Sequence, residues 1–333
     1  MKEEQQQSNY QEVTIDIITS SKNMPEMECR NFFHSIELFQ IVEKTPGQRP
    51  YMVIARQDGR IKAHLLAMLR RRGSLLPPYL FSQGRVYGEG EYEEGADKQL
   101  LFSKMLHAIT QKLNRKLCFY IEFSDLSAKM FGYKLFRQQG YIPVQWMEVH
   151  NSLHSMPPED RISEKVAARI RHAIDYGMEV KSVETEEEFA DFYRMLRRHL
   201  STKPRRYLPS QKMFSLLKDS DHCSLFITKY KGKAIGACTC MYTNRNAYLW
   251  YMAAKTKSHP MLHPATATVW GAITHAYEHQ YWHIYFLDVG LPFKKNAHRD
   301  FILSFGGKEV GTYRWFRFSL PWLNRIVGYL YRE

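Results

Sequence analysis

One stretch of this chain lies over another without a gap. Residues 50–72, PYMVIARQDGRIKAHLLAMLRRR, align with residues 223–245, CSLFITKYKGKAIGACTCMYTNR, so that Gly59 and Gly232 stand 173 positions apart. Each segment is two apolar runs joined by a dipeptide ending in glycine, Asp58-Gly59 in the first and Lys231-Gly232 in the second. This pattern predicts a β-hairpin, because both central residues of the tight turn adopt positive φ. The correspondence continues downstream: HAIT (107–110) matches GAIT (271–274), the strand Leu117 to Phe123 matches the one that begins at Tyr281, and the Gly140 turn matches Gly306. Helices and strands that recur in one order make an internal duplication of an α/β unit.

Length agrees, since 333 residues make room for two units of roughly 150. Hydrophobic residues at 44% and aromatics at 14% favour packed cores over disorder. The N-terminus MKEEQQQSNYQE is polar and acidic and no apolar run reaches about 18 residues, so neither a signal peptide nor a membrane span is expected, and the expected location is cytoplasmic. Five scattered cysteines (Cys29, Cys118, Cys223, Cys238, Cys240) read as reduced thiols, and core packing accounts for the Cys238/Cys240 pair better than a metal does. A formal charge of +13 calls for a polyanionic partner: nucleic acid, a nucleotide-linked substrate or an anionic membrane surface.

In order, the periodicity predicts a polar tail over 1–12, a strand from Val13 to Ile18, a helix over Asn31 to Glu43 and the first hairpin. Gly73 to Gly95 reads as loop, ending in the acidic glycine run 88–95, which is either solvated or a carboxylate meeting an amine or sugar. A helix over 98–113, a strand over 116–123 and a last strand through Val149 complete the first unit, and 151–160 reads as a linker. The second unit opens with the basic helix 163–176, whose Lys165, Arg169 and Arg171 either meet phosphate or face solvent. Thr185 and Glu188 form a capping box for a helix over 186–200. The basic loop 201–210 presents Arg205, Arg206 and Tyr207 before the second hairpin, a strand over 247–255 and a helix over 265–279. On that strand, alternation puts Tyr248 and Trp250 on one face and Tyr251 on the other. Finally, YWHIYFLDVGLPFKKNAHRDFILSFGG (281–307) reads as a buried strand ending at Asp288, a basic loop and an aromatic turn, at the kind of strand end where open α/β sheets bind ligands. The tail from Leu320 is aromatic, apolar and basic, and either docks on its own unit or rests on an anionic membrane.

ARIRHAIDYGMEV (168–180), RRYLP (205–209), HPATATVWGAITHAYEHQYWHIYFLDVG (263–290) and FILSFGG (301–307) resemble the FemAB/FemX peptidyltransferase family, a doubled acyl-CoA N-acyltransferase (GNAT) fold. The resemblance implies an α/β (α+β) chain of two GNAT-like domains, 13–155 and 156–333, each a mixed, mostly antiparallel twisted sheet flanked by helices, with the donor site in the second. It implies an aminoacyl- or acyltransferase that forms an amide on the amine of a cell-envelope precursor, with aminoacyl-tRNA as donor and no tightly bound cofactor or metal. The Arg/Gln-x-x-Gly-x-Gly/Ala loop that holds CoA pyrophosphate is not found before the Ala265 helix, where AKTKSHPMLHP stands. The alternatives are an acyl-CoA-dependent N-acyltransferase on an amino sugar or other small amine, and a non-catalytic basic binding module on the same scaffold. The implied partners are charged tRNA or CoA and a nucleotide- or lipid-linked cell-wall (peptidoglycan) precursor, while the net charge and the apolar, basic tail leave peripheral contact with the inner face of the membrane as an alternative.

Acyl transfer to an amine needs a neutral amine, an anchored donor and groups that stabilise an oxyanion. No Gly-x-Ser-x-Gly elbow or Cys-His spacing suggests a covalent route. The expected catalytic residues are Lys294, Tyr251 and Glu91. Glu91 falls where the family places a first-domain carboxylate. The expected substrate-binding residues are Arg206, Tyr207, Arg205, Tyr248, Lys295 and Arg169. Arg206 and Tyr207 match the family's nucleotide-sugar diphosphate site, and Lys294 with Lys295 partly replaces the family lysine whose place Ile302 takes.

Overall fold

The computed structural model describes residues 12–75, 78–126, 129–201 and 207–331. The first copy comprises β1 (Val13–Ile18), α1 (Ile36–Glu43), β2 (Gln48–Gln57), β3 (Arg60–Leu75), β4 (Pro78–Tyr87), β5 (Glu91–Tyr92), α2 (Lys98–Arg115), β6 (Tyr120–Ser124), α3 (Tyr133–Gln138) and β7 (Ile142–Ser152). The second comprises α4 (Glu164–Asp175), β8 (Met178–Ser182), α5 (Glu186–Ser201), α6 (Gln211–Lys218), β9 (Cys223–Tyr230), β10 (Lys233–Thr243), β11 (Asn246–Ala254), α7 (Pro264–Glu278), β12 (His283–Phe286), α8 (Ala297–Leu303) and β13 (Lys308–Phe318), followed by α9 (Pro321–Leu330).

The local signals act as the sequence predicts. Asp58, Gly59, Lys231 and Gly232 all have φ between 48° and 75°, the conformation a two-residue hairpin requires. The Thr185 hydroxyl accepts from the Glu188 amide at 3.1 Å while the Glu188 carboxylate accepts from the Thr185 amide at 3.4 Å, which completes the capping box of α5. One reading is corrected: residues 73–75 and 78–87 are not loop, because β3 runs on to Leu75 and pairs with β4 in register from Leu75/Pro78 to Ala67/Val86.

The strands form one mixed, mostly antiparallel sheet in the order β1-β2-β3-β4-β6-β13-β7-β12-β11-β10-β9-β8, with β5 beside β3. Within each copy the pairing is the same: β4 with β6 and β11 with β12 are parallel, and the hairpins are antiparallel. The last strand of each copy lies in the other copy's sheet. β13 pairs with β6 and β7 pairs with β12, while β7 and β13 pair with each other along nine residue pairs from Lys308/His150 to Phe316/Ile142. The sheet therefore runs without a break across the boundary of the repeat.

Burial explains why the central strands are apolar on both faces. In β2, Tyr51 and Val53 enter a core with α2, whereas Met52 and Ile54 enter a second core that also holds Phe192 of α5, Phe214 of α6 and Tyr248 of β11. That second core belongs to both copies. A third lies under α4, α7 and α8 and takes in Cys238 and Cys240 side by side on β10, together with Ile302.

Trp315 shows what the strand exchange contributes. It sits on the second copy's last strand but stacks on Phe136 of α3, ring centroids 4.6 Å apart, inside the first copy's core. Trp315→Ala should cost about 3–5 kcal/mol by opening a large cavity. Urea melts followed by fluorescence and by circular dichroism should shift together as one transition, and two separated transitions would refute a shared sheet.

Candidate functional site

β11 and β12 pair only from Asn246/His283 to Leu249/Phe286. Beyond this, β11 continues to Ala254, whereas the chain after β12 turns away through Asp288 (φ 76°) and Gly290 (φ 96°), whose carbonyl accepts from the Met147 amide at 2.9 Å. A non-glycine residue held at positive φ is strained, and such strain gathers at functional sites. The parting of the two strands opens a cavity of about 500 Å³, walled by both copies. The first copy supplies Arg70, Gln83, Arg85, Tyr87, Tyr120 and Glu122, and the second supplies Trp250, Tyr251, Asp288 and Arg314.

A bulge in β11 decides which aromatics face this space. The register against β10 shifts between Thr239 and Cys240, so Tyr251 opposes Thr239 and Leu249 opposes Cys240, leaving Trp250 as the extra residue. Trp250 and Tyr251 consequently share the cavity face, which corrects the alternation expected from sequence. Tyr248 is instead buried in the shared core, stacked on Tyr285 at 5.2 Å.

The polar heart of the site is a chain of charges crossing the seam. Glu122 contacts Arg85 of β4 and also Arg314 of β13 at 3.3 Å, and Gln83 donates to it at 2.5 Å. Arg314 continues to Asp288 at 2.8 Å and lies over the Trp146 ring, 4.0 Å from its centroid. Arg85 lies over the Tyr87 ring at 4.4 Å, and Arg70 over the Tyr207 ring at 5.2 Å. The Tyr87 oxygen accepts from Trp250 Nε1 at 2.9 Å and from Arg70 at 3.4 Å. Burial pushes the Tyr87 phenol up, but Arg85 and Arg70 outweigh it and leave the phenol below its ordinary value. For Tyr251 burial prevails, and its phenol is raised.

The expected site residues are only partly brought together. Tyr207 and Tyr251 line the cavity, with the Tyr251 hydroxyl donating to the Tyr207 carbonyl at 3.4 Å. Lys294 and Lys295 are exposed on the loop whose ends, Gly290 and Asn296, line it, but neither lysine is in its wall. Arg205 and Arg206 lie outside the described residues. Glu91 is not in the wall. It accepts from the amides of Arg30 (2.8 Å) and Asn31 (3.0 Å) and pairs with His64 at 3.3 Å, which fastens a loop to β3. Arg169, on α4, bears on His263 at the start of α7 and is not part of the wall either. Ile302 is fully buried beside Val289 and Phe305 in the third core. Arg70, Arg85, Tyr87, Glu122 and Arg314 are not among the expected residues, although charges inside strands such as YIEFS and YRWFRF are a usable signal.

Glu148 of β7 lies on the same strand face as Trp146, two residues on, and its Oε2 is buried without a hydrogen-bond partner. Burial, opposed by Arg314 and Arg85 and reinforced by Asp125 and Asp288, pushes its carboxyl up to about 8 from 4.5. An acid raised on folding adds stability at low pH and loses it as pH climbs through the folded value. Glu148→Gln should therefore match the wild type near pH 4 and become progressively more stable than it between about pH 4.5 and 8. Thermal melts across that range check this, and a constant difference would refute it.

Comparison with known proteins bears on this geometry. Residues 161–295 match the family model described as acetyltransferase (GNAT) domain. No curated protein matches the sequence. Among solved structures, FemX is similar at 10% identity over 93% of this chain and 96% of its own, with a TM-score of 0.59. L-PGS from Bacillus licheniformis is 15% identical over 89% and 93%, with a TM-score of 0.57. A tandem GNAT protein from the clavulanic acid biosynthesis pathway is 10% identical over 93% and 99%, also at 0.57. At such identities the structures speak for the fold, a tandem GNAT-like arrangement. The matched domain lies in the second copy and supports acyltransferase chemistry of the GNAT type there.

Proposed function

We propose that the chain joins an acyl or aminoacyl group to the amine of a cell-envelope precursor in the seam cavity, by direct transfer from an anionic donor. Tyr87 carries this reading. Its oxygen already accepts two hydrogen bonds, from Trp250 and Arg70, so its own proton is free to be given away, and the nearby guanidiniums make that easier. The cavity wall holds no Cys, Ser, Thr, His or Lys among the described residues, which suits attack by the substrate amine itself rather than by an enzyme nucleophile.

Asp288 is the accessible carboxylate, its side chain 41% exposed and steadied by Arg314. In the proposed step the amine nitrogen attacks the donor carbonyl and passes its proton to Asp288. The bond to the donor's oxygen or sulfur breaks, and the leaving atom takes the Tyr87 proton. Arg70, Arg85 and Arg314 offset the charge on the oxyanion and on the donor's phosphates.

The FemAB/FemX resemblance favours aminoacyl-tRNA as donor. The GNAT match over 161–295 and similarity to a yeast N-myristoyltransferase with bound myristoyl-CoA, 13% identical at a TM-score of 0.51, favour acyl-CoA. Transfer assays with labelled aminoacyl-tRNA and acyl-CoA, against UDP-linked muropeptide and amino sugars, separate the two. With the productive pair, Tyr87→Phe and Asp288→Asn should each lower kcat by about 10²-fold or more while circular dichroism shows both folded at the assay temperature, Tyr87→Phe melting lower because Trp250 and Arg70 lose their acceptor. Wild-type kcat in both would remove the proposed roles.

A further inference from the structure

The closing helix α9 is amphipathic in the unusual sense. Its inner face is anchored by Asn324, whose side chain accepts from the Phe318 amide and donates to the Gly140 carbonyl, both at 3.0 Å. Gly328 lies on that same face, where an added Cβ would stand 3.7 Å from Ile142. The roll of the helix is thus fixed, and no residue of it is buried. Its outer face carries Trp322, Ile326, Tyr329 and Leu330, at helical spacings of four, seven and eight, with Tyr329 71% and Trp322 60% exposed.

A second apolar surface adjoins it. Ser319, just before α9, donates its amide to the Phe119 carbonyl at 3.0 Å and its hydroxyl to the Cys118 carbonyl. This brings the segment Lys116–Phe119 against the start of the helix. Leu117 there is 83% exposed and held at φ +54°. A leucine in the left-handed region costs about 1–2 kcal/mol, and the equivalent residue after α7 in the second copy is the polar Gln280, at φ +59°. Strain together with exposure is an unfavourable place for leucine unless something apolar meets it.

The charges say what meets it. Arg115, Lys116 and Arg325 are exposed around these residues, and neither 111–119 nor 319–331 contains an Asp or Glu. A second copy docking through the same face would set these cations against each other without an acidic partner. An anionic bilayer surface supplies both an apolar layer for Trp, Tyr, Ile and Leu and negative charge for Arg and Lys. No helix among the described residues is long and apolar enough to cross a membrane, so the contact is a surface one.

We infer that α9 and the Lys116–Phe119 segment form a docking surface for anionic phospholipid membranes. The inference does not rest on the proposed reaction, though the two are adjacent: Tyr120 of the cavity wall meets the Phe119 and Phe318 rings at 6.2 and 5.9 Å.

The test is co-sedimentation of the full chain with vesicles of phosphatidylcholine alone or mixed with phosphatidylglycerol, beside light scattering of the free protein. Expected are binding to the mixed vesicles that weakens with salt, a monomer in solution, and at least a tenfold loss of partitioning in Ile326→Glu and in Trp322→Ser with unchanged melting. Arg115→Gln with Lys116→Gln should reduce the salt dependence. Mixed-vesicle binding that is unaffected by Ile326→Glu would come from the overall charge alone and would overturn the inference. So would a dimer in solution that Ile326→Glu dissolves.

Discussion

Glu122 is held from two sides by residues that begin far apart in the chain. Arg85 belongs to the neighbouring strand of its own copy, and Arg314 comes from the last strand of the other copy. Nearly complete burial makes each of these charges costly alone, so removing any partner leaves an uncompensated ion. A buried ion cluster of this kind is weak evidence for net stability, and what it constrains here is register. Sliding β13 by one residue past β6 would turn Arg314 to the opposite face and Trp315 towards the charges. The charge chain and the tryptophan therefore fix the same register from opposite faces of one strand. That register aligns Arg314 with Asp288 and brings the walls of the cavity together.

Duplication explains how a cavity arises at all. In the first copy β4 and β6 stay paired from Gln83/Tyr120 to Tyr87/Ser124, and the Gly88 amide then donates to the Ser124 carbonyl, so the strands remain closed. In the second copy the equivalent pair parts after Leu249 and Phe286. One copy holds the closed form and lends side chains, while the other opens and leaves the cavity between them. Exchanged last strands bring these two contributions to one place, since β13 and β7 lie between the closed pair and the open one.

What was legible in the sequence follows from where each signal is generated. Hairpins, capping box and helices are local, set by turn residues and apolar spacing within a few positions, and Asp58-Gly59 or Thr185 with Glu188 state them directly. The duplicated fold was legible for the same reason, because local signals recurred in order. β4 was not, since the strand faces a polar cavity: Gln83 and Arg85 occupy positions where an ordinary strand would show apolar residues, and Gly84 fits under Leu113 and Cys118. Alternation does not give the face of Trp250, because a bulge is a property of two strands together. Resemblance to a family position points to Glu91, but its partners Arg30, Asn31 and His64 are set by tertiary packing.

The charge of the cavity follows from burial as much as from composition. Three guanidiniums, of Arg70, Arg85 and Arg314, face the carboxylates of Glu122 and Asp288, and Glu148 below them is kept protonated near neutral pH by its own desolvation. Ionising Glu148 would bring the cations and anions to parity and weaken the field on an incoming anion. Burial thus makes Glu148 an apolar-like support for the arginines at neutral pH and leaves the cavity an excess of positive charge, which suits the anionic donor proposed above. The same field reaches Tyr87, where it lowers a phenol that burial alone would raise. Under the proposed reaction, binding of the donor and activation of the proton it needs are in this way two effects of one uncompensated charge.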